Sequence, residues 1–99
     1  MTNEKVKLSN SDKIGLISNL STMLSAGIPI LDAVRSMEED SKGGTKIVLD
    51  TMIEDITQGK HIFVSLEKFP RVFDKVTVSV VKASEEAGTL DVTLKDLRE

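Results

Sequence analysis

Leu24-Ser25-Ala26-Gly27-Ile28-Pro29-Ile30-Leu31-Asp32-Ala33-Val34 is the stretch on which the reading of the chain turns. A run with helical spacing meets a glycine, and a proline stands two residues later. Glycine adopts the left-handed conformation that ends a helix without steric penalty. Proline is accommodated at the first helical position, where its missing N–H would have had no partner. One helix therefore stops at Gly27 and the next starts at Pro29, with almost no loop between them. Asp32 then suits the positive end of the new helix dipole.

Upstream, Ser9-Asn10-Ser11-Asp12 has the S-x-x-D form of a capping box with Ser9 as N-cap. Ile14, Ile17, Leu20 and Leu24, with Leu16 and Met23 beside them, recur every three or four residues and form one helical face. Gly15 interrupts this helix at a cost of about 1 kcal/mol against alanine. Residues 1–8 are polar and read as a flexible lead-in, leaving 9–99 as one helical-bundle domain.

Downstream, a second helix carries Ile30, Leu31, Val34 and Met37 inward and ends near Ser41, before a flexible Gly43-Gly44. Thr45 is expected to cap a third helix, with Leu49, Met52, Ile53 and Ile56 on its buried side and Gly59 as its stop. Residues 61–68 form a short fourth helix. Asp74 caps a fifth, Lys75 to Ala87, closed by Gly88. Thr89 caps a sixth that aligns Leu90, Leu94 and Leu97 and runs to Glu99. The fifth is the contested segment, because Val76-Thr77-Val78-Ser79-Val80-Val81 is β-branched and alternates like a strand. No second segment offers it a partner, and a lone strand leaves its backbone unsatisfied. Helix is therefore expected, and the fold class is all-α: a six-helix antiparallel bundle.

Composition narrows the function. The 99 residues include three Phe, no Trp and no Tyr, so the core is aliphatic and offers little for stacking bases or cofactor rings. A net charge of −3 argues against nucleic acid, whose phosphates call for a basic stripe. Lys5, Lys7 and Lys13 read as a solvated tail or, less simply, a lipid-headgroup contact. Zero cysteines remove disulfide and thiolate chemistry and agree with a reducing compartment. No apolar run approaches the ~18 residues of a membrane span. Any membrane spans of a parent protein are expected outside these residues.

Two junctions share local text. Ser25-Ala26-Gly27-Ile28-Pro29-Ile30-Leu31-Asp32 is echoed by Glu86-Ala87-Gly88-Thr89-Leu90-Asp91, each with a Leu-Asp pair in the first turn of the new helix. In this the chain resembles the cytoplasmic domain of type II secretion and type IV pilus inner-membrane platform proteins (the protein F and PilC family). That family carries a helix end of the form L-x-x-L-L-x-A-G-I/L-P-L, seen here as Leu20 to Ile30. Its Gly-x-Ser-Leu junction corresponds to Gly59-Lys60-His61-Ile62, and its P-x-x-F stretch to Pro70-Arg71-Val72-Phe73. Its G-E-x-S/T-G-x-L turn corresponds to Ser84 through Leu90. The blocks stand in order over about residues 9–97. Ser18-Asn19 departs from a common Arg-Gln, Ser84 from a glycine, His61 from a serine N-cap and Asp74 from a common proline.

The resemblance implies a six-helix scaffold on the cytoplasmic face of the inner membrane, part of a polytopic protein and not an enzyme. It implies coupling of a hexameric assembly ATPase to pilin or pseudopilin movement, other inner-membrane assembly components as partners, and a homodimer. It calls for no cofactor. A truncation just before a membrane span is the expectation at Arg98-Glu99. The rival reading is a stand-alone cytosolic helical adaptor or regulatory domain, and a third is a carboxylate-metal hydrolase.

The junction residues Gly27, Pro29, Leu31, Gly59, Glu85, Glu86, Gly88, Leu90 and Asp91 are the candidates for structure and interaction. Glu85 and Glu86 sit in the last turn of a helix, where the dipole disfavours carboxylates by about 0.3–1 kcal/mol each. They read as solvated acids, helped by Lys82. Glu86 has a second reading as a cap across the Gly88 turn for the free N–H groups of helix six. It has a third, with Asp91, as a partner-facing or divalent-metal site. Two acids are too few for a hard cation, so a metal would need a second protomer or helix two. His61 has no nucleophile partner and reads as a surface junction residue. Lys42-Gly43-Gly44-Thr45-Lys46 lacks phosphate-loop spacing and reads as a loop, while Met23, Met37 and Met52 read as core filler.

Overall fold

The computed structural model describes residues 5–97, and among them six helices and no strand. They are α1 (Asn10–Ser25), α2 (Ile30–Glu39), α3 (Gly43–Thr57), α4 (Ile62–Leu66), α5 (Lys75–Ala87) and α6 (Leu90–Leu97). The expected continuation to Glu99, like the first four residues of the lead-in, lies outside the described residues.

α1, α3 and α5 end in the same backbone device. Gly27, Gly59 and Gly88 take φ of 85°, 81° and 74°, a region costly for any residue with a Cβ. In each case the glycine N–H and the one after it reach back to two carbonyls of the last helical turn. Gly27 donates to Leu24 and Ile28 to Met23; Gly59 donates to Ile56 and Lys60 to Asp55; Gly88 donates to Glu85 and Thr89 to Ser84, at 2.9–3.3 Å. This is the Schellman closure, made three times. α2 ends without a glycine: the Ser41 hydroxyl donates to the Met37 carbonyl at 2.7 Å.

Two of the expected N-caps form. The Ser9 hydroxyl accepts from the Asp12 N–H at 3.0 Å, and Asp74 Oδ1 accepts from the Thr77 N–H at 2.7 Å. That N–H bond holds the Asp74 carboxyl below its usual range. Three details differ. Pro29 is the capping residue, with ψ 144°, and Ile30 the first helical one; its absent N–H is harmless in either place. α3 starts at Gly43, so Gly43 and Gly44 form its first turn and Thr45 does not cap it; Lys42 stands at that position without a side-chain bond. α4 is shorter than 61–68, because the chain turns at Glu67 to reach buried Phe69.

Residues 76–81 are helical. Asp74 nucleates their first turn, while Val81 is buried and Val78 half-buried against the core. That packing offsets the weak helix propensity of β-branched residues.

The core is as aliphatic as composition required. Leu16, Ile17, Leu20, Val34, Val48, Leu49, Met52, Ile62, Leu66, Val81 and Leu94 are joined by Phe69 and Phe73. Ile53, Ile56, Met23 and Met37 pack around it half-buried. Ile14, expected inward, is 41% exposed, and Leu31 is half-buried without joining the core. Val6 and Leu8, from the stretch read as lead-in, pack against the core; Lys7 passes so close to Gly44 that a Cβ there would lie 2.9 Å from its carbonyl oxygen. Each helix packs on the next along the chain, and α6 returns to α1, which closes the ring. A radius of gyration of 12.1 Å agrees with the ~13 Å of a compact chain of this length.

Candidate functional site

Residues flanking all three glycine turns meet at one place. Leu24 and Ile30 from the first turn, His61 from the second, and Glu85, Gly88, Leu90 and Asp91 from the third line an open pocket of about 320 Å³. Leu24, Ile30 and Leu90 make its lining largely apolar, and Glu85, Asp91 and His61 are its polar members. Of the candidate residues, the structure therefore brings together Glu85, Gly88, Leu90 and Asp91. Gly27, Pro29 and Gly59 lie exposed in the turns outside the pocket lining, Leu31 is half-buried outside it, and Glu86 is exposed outside it.

Glu85 is the organising side chain. Its carboxylate, 8% exposed, accepts from the Phe63 N–H at Oε1 and the Ile62 N–H at Oε2, both at 2.9 Å. α4 has no cap of its own, because His61 makes no side-chain bond to the helix start. A carboxylate from α5 therefore supplies both acceptors that the first turn of α4 lacks. His61 Nδ1 lies 3.4 Å from Oε2, and the His61 ring stacks on Phe63 at 6.1 Å between centroids. Lys82 Nζ sits 5.4 Å from the Phe63 ring centre.

This corrects the reading of Glu86 as a cap for helix six. A capping glutamate at the end of α5 does exist, but it is Glu85 and it caps α4. Successive helical residues point 100° apart. Glu85 shares the half of α5 that carries half-buried Val78 and faces α4, while Glu86 turns to solvent and makes no side-chain hydrogen bond among the described residues. Nor do Glu86 and Asp91 belong to a larger cluster of ligating side chains: no group of three or more Asp, Glu, His or Cys side chains that could hold a metal ion is gathered among the described residues.

A second polar cluster was missed from sequence. Asp55, 2% exposed on the inner side of α3, accepts from the Ser65 hydroxyl at 2.7 Å and from Lys68 Nζ at 2.9 Å to each oxygen. Lys60 Nζ stands 3.9 Å away. Burial pushes the Asp55 carboxyl up, but Ser65, Lys68 and Lys60 together outweigh it and hold it below the usual carboxylate range. Asp55 ties α3 to α4 from one side, and Glu85 ties α5 to α4 from the other. The sequence did contain a signal, since Asp55 falls three residues after Met52 on the same apolar stripe, where an unpaired charge would be costly.

A family model described as type II secretion system (T2SS), protein F, matches residues 16–99. The chain is 31% identical over 91 residues to the type II secretion system protein F of Vibrio cholerae, covering 91% of this chain and 22% of that protein. It is 30% identical over 88 residues to the type 4 fimbrial assembly protein PilC of Pseudomonas putida, with 88% and 22% covered. Against the type IV pilus assembly protein PilC of Pseudomonas aeruginosa the identity is 31% over 74 residues, with 73% and 20% covered. The chain thus spans about a fifth of the length of these relatives. Among the described residues no helix is long and apolar enough to cross a membrane.

Proposed function

Since the chain belongs to the type II secretion system protein F family, we propose that it is a non-catalytic scaffold domain of an inner-membrane platform protein. In that role it couples a hexameric cytoplasmic assembly ATPase to pilin or pseudopilin movement. The family match over residues 16–99 carries this proposal and favours it over a stand-alone adaptor. The domain spans 9–99, folds as an antiparallel six-helix bundle, works at the cytoplasmic face of the membrane and pairs with a second copy.

The pocket at the glycine turns supplies the contact surface. Its apolar lining of Leu24, Ile30 and Leu90 and its acidic members Glu85 and Asp91 sit on helix ends fixed by three Schellman closures and the Glu85 cap. A rigid patch loses little conformational entropy on binding, which suits transmission of force between components. Leu90 and Asp91 are the residues that touch the partner; Gly27, Pro29, Gly59 and Gly88 set the turns that present them.

The test is direct binding of this chain to its purified cognate assembly ATPase, measured by biolayer interferometry. Saturable binding that weakens in Leu90→Ala and Asp91→Ala, with Glu67→Ala as a surface control, is the expected result. Absence of binding at protein concentrations well into the micromolar range would refute the ATPase contact. Binding unaffected by the Leu90 and Asp91 variants would move the contact to another face.

A further inference from the structure

The junction pocket leaves one feature of the sequence unused: Gly15, in the middle of α1. Its backbone is ordinary helix, and a Cβ added there would meet nothing within 4 Å. Neither a turn nor internal packing therefore calls for glycine at this position. Alanine would fit and would strengthen the helix. What Gly15 does is open the wall of a groove of about 420 Å³. This groove runs between α1 and α2, from Met23 at one end to Ser11 and Asp40 at the other, with the start of α3 as its floor.

The groove has a definite chemistry. Leu16, Met23 and Met37 give it an apolar base, two of them unbranched, polarisable side chains that adapt to different shapes. Its lining carries two charges, Asp12 in α1 and Asp40 just past the end of α2, and both are negative. Among the described residues neither carboxylate is engaged in a side-chain hydrogen bond or ion pair, whereas the nearby Lys46 is held by Glu38 and Asp50. A glycine wall lets another backbone approach closely, and a groove between two helices receives a third along its length.

We propose that the α1–α2 groove is a docking site for a partner helix with an apolar face flanked by lysine or arginine. The apolar face packs on Met23, Met37 and Leu16 at the closest approach, over Gly15, and the cations meet Asp12 and Asp40 on the two walls. Charge complementarity selects a basic occupant over an acidic one, and the absent side chain at residue 15 makes the room. The site is separate from the junction pocket and stands whether or not that pocket binds the ATPase.

The probes are two synthetic 18-residue amphipathic helices with the same Leu/Ala face, one with lysines and one with glutamates along its polar flanks. Each is titrated into the full ¹⁵N-labelled chain and followed by NMR. The lysine peptide should shift the amides of Gly15, Asn19, Ser36 and Asp40 saturably, while the glutamate peptide leaves them in place. Gly15→Leu should weaken lysine-peptide binding at least tenfold, and the Asp12→Asn/Asp40→Asn pair should weaken it several-fold and flatten its salt dependence. Gly15→Ala reports separately on folding: its Tm should rise by about 4–8 °C while binding falls. Shifts confined to other surfaces, binding indifferent to Gly15→Leu, equal response to both peptides, or no response would each overturn the proposal. Concentration-dependent shifts of the same four amides without peptide would overturn it in favour of a second copy of this chain.

Discussion

Replacing Glu85 with alanine is the sharpest probe of how this fold is held. The substitution removes a carboxylate that accepts two backbone N–H groups, from Ile62 and Phe63, each at 2.9 Å. A hydrogen bond to a charged acceptor contributes about 1.5–3 kcal/mol, and an N-cap about 0.5–2 kcal/mol. The two donors are only partly buried and water would reach them in the variant, so the low end of the range applies to each, about 3 kcal/mol together. Against this, removing a carboxylate from the last turn of α5 relieves an unfavourable dipole interaction of about 0.3–1 kcal/mol. The net loss is about 2 kcal/mol, or a Tm lower by roughly 8–16 °C for a domain of this size. Glu85→Gln should fall between, because its single carbonyl oxygen can accept one N–H while its amide group faces the other. Glu86→Ala, one residue away, should change stability by less than about 0.5 kcal/mol. Urea unfolding followed by circular dichroism at 222 nm measures all three. Equal losses in the Glu85→Ala and Glu86→Ala variants would sink the assignment of the cap, since only position 85 reaches α4.

Four further outcomes are expected. Asp55→Ala leaves Ser65 and Lys68 without their acceptor and should cost about 2–3 kcal/mol, below the ~3–5 kcal/mol of a fully buried broken pair because Lys68 is 39% exposed. Because the folded Asp55 carboxyl is held below its ordinary value, its stabilisation is intact above about pH 4 and is lost as pH falls through the folded value. Chemical unfolding between pH 2 and pH 7 should therefore show a smaller acid loss in Asp55→Asn than in the unsubstituted chain, and an unchanged slope would count against the Asp55 network. Gly88→Val places a β-branched residue at φ 74° and should destabilise by more than about 1 kcal/mol; thermal melts that match the parent would mean the turn rearranges freely. Gly44→Ala drives a Cβ to 2.9 Å from the Lys7 carbonyl oxygen and should displace residues 6–8 at a cost of about 1 kcal/mol. Loss of NOEs between the Val6 and Leu8 methyl groups and the core is its signature, and unaltered NOEs there would contradict the packing.

The helices were legible because their signals are local. Ser9 and Asp74 cap from within three residues, the apolar stripes repeat at three and four, and the glycine turns close on carbonyls three and five residues back. The valine-rich α5 alone needed a wider argument, the absence of a strand partner. Reading failed where two helical residues with the same side chain stand side by side. Glu85 and Glu86 are chemically identical in sequence, and only the direction of α4 distinguishes them. Ile14 failed for a related reason: it belongs to the apolar stripe of α1, yet no neighbouring helix covers that edge completely.

By itself the sequence determined six helices, their three glycine turns and the aliphatic character of the core, because each depends on contacts within one or two helical turns. Its motifs also pointed to the family. Tertiary structure alone decided which carboxylates matter. Glu85 reaches α4 across 22 and 23 residues and Asp55 reaches Ser65 and Lys68 across 10 and 13. Those partners are set by how the ring of helices closes, and no local spacing rule encodes a partner that distant. The same holds for Gly27, Gly59 and Gly88. Each ends its own helix by local geometry, but that their flanking residues line one pocket follows only from the packing of all six helices.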